Sequence, residues 1–190
     1  MKSKLELLKD KNTILLIIDV QEKLIPVINN KERLIFNIQK LIKASNILGL
    51  DIIYSEQNPE RLGTTLTSIK EKENNNVFSK MAFSCCNCKN LMNFIKSEGK
   101  KNVLICGVET HVCVQQTCID LIREGYIPHI VIDAISSRKL VDHEISIRKL
   151  ELSGTILSTT ETAIFELCQT AERTEFKPIS KLIKESEKNS

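Results

Sequence analysis

One stretch constrains the chain more than any other: Val103-Leu-Ile-Cys-Gly107-Val-Glu-Thr-His-Val-Cys113, an apolar run, a glycine and a cysteine in the order strand, turn, helix start. Residues 103–106 read as a short strand buried on both faces, as in the middle of a parallel sheet. Gly107 lets the backbone turn sharply, and Thr110 can cap a helix running to about Glu124. Cys113 then falls in the first helical turn, where unpaired amides and the positive end of the helix dipole favour a thiolate over a thiol. A cysteine in such a place serves either as a nucleophile or simply as a small buried side chain.

The remaining chain repeats the same alternation. Residues 13–18 form a continuous apolar run that ends in Asp19, and residues 51–55, 77–80, 127–132 and 154–158 read as further short strands. Between them lie residues 31–48, with Leu34, Ile38, Leu41 and Ile42 on one face, and residues 89–98, with Leu91, Met92 and Ile95. A helix from about Asp142 to Leu152 follows, then one at 163–168 capped by Thr160, and an amphipathic tail helix over 177–190. Strands alternating with helices predict an α/β fold, a doubly wound parallel sheet with helices on both faces. The 190 residues suit a single domain, 1–190.

Composition narrows the function. Basic and acidic residues nearly balance at +3, no basic stripe occurs and aromatics are few, so nucleic acid is not an expected partner. No apolar run is long enough to cross a bilayer, and the charged start does not resemble a signal peptide, which predicts a cytoplasmic protein without a membrane partner. Seven irregularly spaced cysteines fit a reducing compartment better than a disulfide framework. Cys85-Cys-Asn-Cys88 has metal-like spacing, but no second pair follows and the three histidines, His111, His129 and His143, are scattered. No glycine-rich phosphate motif is present, so no cofactor is expected.

Asp19, Lys80 and Cys113 each follow a strand, and in a parallel sheet the carboxyl ends of strands share one edge. A thiol there needs a base, a carboxylate can take its proton, and an ammonium would hold both charges. Each also has an ordinary use: a turn aspartate, a solvated lysine, a buried cysteine. His111 is a rival base, although residues i and i+2 of a helix point to different faces; a surface or partner-facing role is expected for it.

The order Ile-Ile-Asp19-Val-Gln21, Phe-Ser-Lys80 and Gly107-Val-Glu-Thr-His-Val-Cys113-Val resembles the isochorismatase-like cysteine hydrolases over nearly the whole chain. With Val131-Ile-Asp-Ala-Ile-Ser-Ser-Arg138 and Ser153-Gly-Thr-Ile-Leu-Ser-Thr-Thr160, it looks most like the isochorismatase-domain-containing branch. The resemblance implies a Rossmann-like three-layer sandwich with a six-stranded parallel sheet. It implies Asp19 as base, Lys80 as electrostatic positioner, Cys113 as nucleophile, and a cis peptide between Val108 and Glu109 that lets the amides of Glu109 and Cys113 form an oxyanion hole. It further implies a homo-oligomer and a small-molecule substrate of amide, ureide or carbamoyl type. Gln21, Tyr54, Gln57, Phe83 and Cys85 are the expected pocket walls. Isochorismatases proper lack the cysteine, and nicotinamidases of the superfamily bind a metal after the second strand, where this chain reads Tyr54-Ser-Glu-Gln-Asn-Pro59; no catalytic metal is expected. The competing readings are a non-catalytic scaffold and a redox sensor built on Cys85, Cys86, Cys88 and Cys113.

Overall fold

The computed structural model describes residues 6–70 and 76–186. Six strands, β1 (Thr13–Ile18), β2 (Asp51–Gln57), β3 (Val77–Lys80), β4 (Asn102–Val108), β5 (Ile127–Ser136) and β6 (Ile156–Ser158), form one sheet in the order β3-β2-β1-β4-β5-β6. Every pairing is parallel. The helices are α1 (Lys31–Leu48), α2 (Pro59–Leu62), α3 (Lys89–Glu98), α4 (Gln115–Arg123), α5 (Leu140–Ser153), α6 (Thr160–Cys168) and α7 (Phe176–Ile183).

Two apolar layers sandwich the sheet, and strand alternation assigns residues to them. On β1, Leu15 and Ile17 pack with α1, α6 and α7 through Leu34, Ile38, Leu41, Ile164 and Ile179. Ile14, Leu16 and Ile18 face the opposite layer with Leu91, Ile95, Cys118 and Leu121. All six residues of β1 are buried, which is why the sequence shows an unbroken apolar run rather than an alternation. The strand order reverses between β1 and β4, so the crevice at their carboxyl ends is a topological switch point, where open α/β sheets place their chemistry.

Several boundaries differ from the sequence reading for local reasons. Gly107 makes no turn: it continues β4 at φ +115°, and a Cβ there would sit 2.1 Å from the Ile18 carbonyl oxygen. Its role is close approach of the β1 and β4 backbones. The helix after β4 opens as a π-helical segment, Thr110–Val114, in which the Glu109 carbonyl accepts from Val112 N and Val114 N at 3.0 and 3.3 Å. α6 begins at Thr160 and its cap is Thr159, whose hydroxyl accepts from the Thr162 amide. The stretch expected to be loop after β2 contains α2. The tail helix ends at Ile183, and residues 187–190 of the expected helix lie outside the described residues. No helix among the described residues is long and apolar enough to cross a membrane.

Candidate functional site

Asp19 follows β1 in a left-handed backbone conformation, φ +53°, uncommon for a residue with a Cβ and tolerated best by Asp and Asn. Its amide still donates to the Ser55 carbonyl at 3.1 Å, which ties the turn to β2. Lys80 is the last residue of β3 and Cys113 lies in the π-helical segment after β4. The sheet edge therefore gathers three residues separated by 61 and 33 positions in sequence.

Lys80 is the hub. Its Nζ donates to Asp19 Oδ2 at 2.7 Å and to Gln57 Oε1 at 2.9 Å, and stands 3.5 Å from Cys113 Sγ. An ammonium has three hydrogens and three partners are present. The Lys80 and Asp19 side chains are 1% and 0% exposed, so the ion pair acts without the screening of bulk water. Asp19 Oδ1 accepts from Ser55 Oγ at 2.7 Å.

Protonation follows from burial. Desolvation pulls the Lys80 ammonium down, but the charge of Asp19, with smaller help from Cys85, Cys113 and the hydrogen bond to Asp19, leaves it raised above the ordinary lysine range. Burial first, then the negative charge of Asp19, holds the Cys113 thiol well above the usual cysteine range, although Lys80 pulls the other way. This corrects the expectation of a thiolate favoured by a helix start. The segment is π-helical there and the sulfur is buried beside a carboxylate, so desolvation outweighs the dipole.

The expected pocket residues divide. Gln57 touches Lys80 as above, and its Nε2 donates to the Met81 carbonyl at 2.8 Å. Gln21 is buried and fully engaged, donating to the Gln57 and Gly63 carbonyls and accepting from the Gln57 amide, so it pins the end of β2 rather than offering a free pocket wall. Tyr54 is corrected outright: it belongs to the layer of α1 and donates to the Ile69 carbonyl, on the face of the sheet away from Cys113. Phe83 is 52% exposed, on the loop after Lys80. Cys85 is buried in the same layer as Cys113, and its amide donates to Thr117 Oγ1 at 2.9 Å. An open groove of about 650 Å³ runs beside Lys80, walled by residues 58–61 and 79–81. A separate cavity of about 270 Å³ lies between the first turns of α1 and α5, and none of Asp19, Lys80 or Cys113 lines it.

The peptide between Val108 and Glu109 is cis. The Glu109 carboxylate accepts from the Arg138 amide and Nε, so this side chain is committed away from the sulfur. His111 is half-buried, with Nδ1 3.0 Å from Ser137 Oγ and Nε2 4.0 Å from Asp142, and these contacts within the chain replace the surface role expected for it. The Cys86 and Cys88 sulfurs contact the Thr117 and Ser79 carbonyls, at 3.8 and 3.6 Å. Among the described residues no group of three or more His, Cys, Asp and Glu side chains is placed to hold a metal ion. Glu56, the last residue but one of β2, accepts from the Thr65 amide and hydroxyl.

The residue that sequence reasoning missed is Ser55. The structure sets its phase: Ile53 faces the Cys113 layer, so Ser55 and Gln57, two and four residues on, share that face.

Comparison with known proteins bears on this geometry. A family model described as "Isochorismatase domain" matches residues 13–162. The secreted isochorismatase effector Isc1 of Phytophthora sojae (strain P6497) is 35% identical over 179 residues, 92% of this chain and 85% of that protein. Isochorismatase domain-containing protein 1 of Danio rerio is 36% identical over 168 residues, 88% of this chain; the match spans only 59% of that longer relative. Among solved structures, that of the MAR1 ribonuclease from Caenorhabditis elegans superposes with a TM-score of 0.89 at 35% identity, covering 96% of this chain and 94% of the other.

Proposed function

This chain belongs to the isochorismatase family, and from that premise we propose that it is a metal-independent cysteine hydrolase that cleaves the C–N bond of a small amide, ureide or carbamoyl compound. The observation that carries the reading is the placement of the Lys80 ammonium 2.7 Å from Asp19 and 3.5 Å from Cys113, with a thiol that burial keeps protonated. A thiol that cannot ionise by itself needs a base at the moment of attack, and the Asp19 carboxylate is held on the same Lys80 ammonium that touches the sulfur.

In this reading the Cys113 sulfur forms a bond to the substrate carbonyl carbon as its proton passes to Asp19. The carbonyl oxygen takes the displaced electron pair and rests on the amides of Glu109 and Cys113; loss of one such donor typically costs about 100- to 1000-fold in rate. Collapse of the tetrahedral adduct breaks the C–N bond, and the amine leaves with the proton held by Asp19. Water, deprotonated by Asp19, then splits the thioester, giving a carboxylic or carbamic acid and restoring the thiol. Lys80 keeps its proton throughout and offsets the negative charge that moves between carboxylate and sulfur. Gln57, which accepts from Lys80, orients the ammonium.

Placement in the cytoplasm belongs to the same proposal and is supported by seven free cysteines; cell fractionation that finds the protein in a secreted fraction removes it. A homo-oligomer is proposed as well, and the mass of a single chain in light scattering removes that part.

The test is a screen of small amides, ureides and carbamoyl compounds for amine or ammonia release, with the Cys113→Ala variant and a chelator control alongside. An RNA oligonucleotide joins the panel because the C. elegans relative is described as a ribonuclease. The expected result is release that falls by at least about 1000-fold in Cys113→Ala and is indifferent to chelation. Turnover that survives the substitution, that needs a divalent ion, or that is confined to RNA overturns the proposal.

A further inference from the structure

We propose that the outer face of α5 is a two-fold interface, on which a second copy of this chain docks its own α5 in antiparallel orientation. This rests on the reading of the chain as a homo-oligomer and gives that oligomer a specific surface.

α5 is apolar on two sides. Its inner side is buried at Ser146 and Leu150, and Leu150 and Ile147 pack in the layer that holds Cys113. On the outer side Val141, Ile145 and Leu152 are 61%, 49% and 88% exposed, and Leu140 adjoins them at the helix start, 55% exposed. Nine large apolar side chains are exposed among the described residues, and four of them belong to this one helix. A surface helix ordinarily turns polar residues to water, so a helix with apolar residues on both sides is one that is covered on both.

The pattern on that face selects its own copy as the occupant. Val141, Ile145, Arg148 and Leu152 fall within about 60° of one another around the helix, and their spacing reads the same in both directions. In a two-fold interface residue i meets residue j and j meets i. A reversed copy therefore sets Val141 against its Leu152 and Ile145 against the aliphatic stem of its Arg148, and the same contacts recur across the axis. The charges agree with this orientation. On one flank of the stripe Glu144 comes opposite the copy's Arg148, and on the other Asp142 comes opposite the copy's Lys149. A parallel copy would instead stack Arg148 on Arg148. Among the described residues neither Arg148 nor Lys149 makes an ion pair within the chain, which leaves both for the copy's carboxylates. α5 in turn holds the segment that carries Cys113, with His143 Nδ1 2.9 Å from Thr110 Oγ1, so a copy seated on α5 braces the helix that supports the nucleophile.

The test is the mass in solution by size-exclusion chromatography with light scattering, in a reductant so that no disulfide joins chains. Wild type is expected at an even multiple of the 21.6 kDa chain. Ile145→Asp and Leu152→Asp change exposed positions at which the fold itself loses little, and each is expected to halve the wild-type mass with an unchanged circular dichroism spectrum. Glu144→Arg and Arg148→Glu each set like charges across the axis and are expected to halve it as well. Mixing these two variants in equal amounts should restore the wild-type mass, because the new arginine of one then meets the new glutamate of the other and the native pair forms once. Should an apolar variant fail to fold, the charge variants and their mixture decide. Folded variants that keep the wild-type mass, or a mixture that stays at half of it, overturn this interface and leave the homo-oligomer reading standing. A wild type found at the mass of one chain removes both.

Discussion

His129 offers a test of the energetics that is independent of the candidate site. It pairs with Leu104 and Ile156 near the start of β5, is 1% exposed, and neither ring nitrogen has a hydrogen-bond partner among the described residues. Burial depresses its pKa from about 6.5 to about 4. The folded protein thus keeps a neutral imidazole while the unfolded chain binds a proton below pH 6.5. Stability is fully present above 6.5 and is lost as pH falls toward 4. At about 1.4 kcal/mol per pH unit of that interval, the loss amounts to about 3 kcal/mol at pH 4 and about 2 kcal/mol at pH 5. His129→Leu removes both the proton and two unpaired polar atoms from an apolar layer. We expect the variant to match or exceed wild type by about 1 kcal/mol at pH 8. Its advantage should widen by about 2 kcal/mol at pH 5, roughly 4 to 8 °C in melting temperature for a domain of this size. Urea unfolding followed by circular dichroism at both pH values measures the difference. Parallel pH dependences, or a variant weaker than wild type by more than about 2 kcal/mol at pH 8, would refute the account of a dry, unpaired imidazole.

Three further outcomes follow from buried charge, close backbone approach and buried sulfur. Lys80→Met strands the Asp19 carboxylate with no counter-charge and should cost about 3 to 5 kcal/mol, seen as a melting point lower by roughly 6 to 20 °C; a loss under about 1 kcal/mol would show that the pair contributes little. Gly107→Ala forces a Cβ to 2.1 Å from the Ile18 oxygen and 2.7 Å from its nitrogen at a φ that disfavours side chains, so soluble protein should be lost or destabilised by more than about 4 kcal/mol; a variant melting within a few degrees of wild type contradicts the packing of β1 on β4. Burial raises the thiols of Cys106 and Cys118 well above the unfolded value near 9, so their protons remain in the fold while the unfolded chain releases them. Stability should therefore decline from about pH 9 upward by as much as about 1.4 kcal/mol per unit for each thiol, and Cys106→Val should flatten that decline; equal slopes for the variant and wild type would count against it.

The order of strands and helices was legible because β1 and β4 lie between two helical layers and must be apolar throughout, whereas helices carry one apolar face. The same double burial concealed phase. Ile52, Ile53 and Tyr54 are all apolar and all buried, so nothing in the sequence says which of them faces the Cys113 layer, and Tyr54 was expected on the wrong side. Residues at the carboxyl ends of strands could be anticipated from the shared edge of a parallel sheet, which is how Asp19, Lys80 and Cys113 were picked out together. The protonation of Cys113 could not be read in the same way. A local argument from helix dipoles predicts a thiolate, and only the packing around the sulfur, with Asp19 against it, shows that desolvation is the larger effect. Gly107 was noticed for the right property, a conformation closed to other residues, but for a turn instead of a strand contact.

Ser55 and Gln57 share the face of β2 that Ile53 presents to the Cys113 layer, whereas Tyr54, next to Ser55, packs in the opposite layer. A one-residue slip in β2 would replace Ser55 and Gln57 with Tyr54 and Glu56, leaving Asp19 Oδ1 without its donor and placing a second carboxylate beside the first. The register of β2 on β1, in which Ile18 pairs with Ser55, is therefore as much a requirement of the proton-transfer geometry as of core packing. Gln21 protects it by clamping both the amide and the carbonyl of Gln57, at the point where β2 leaves the sheet and side-chain packing alone would hold it least.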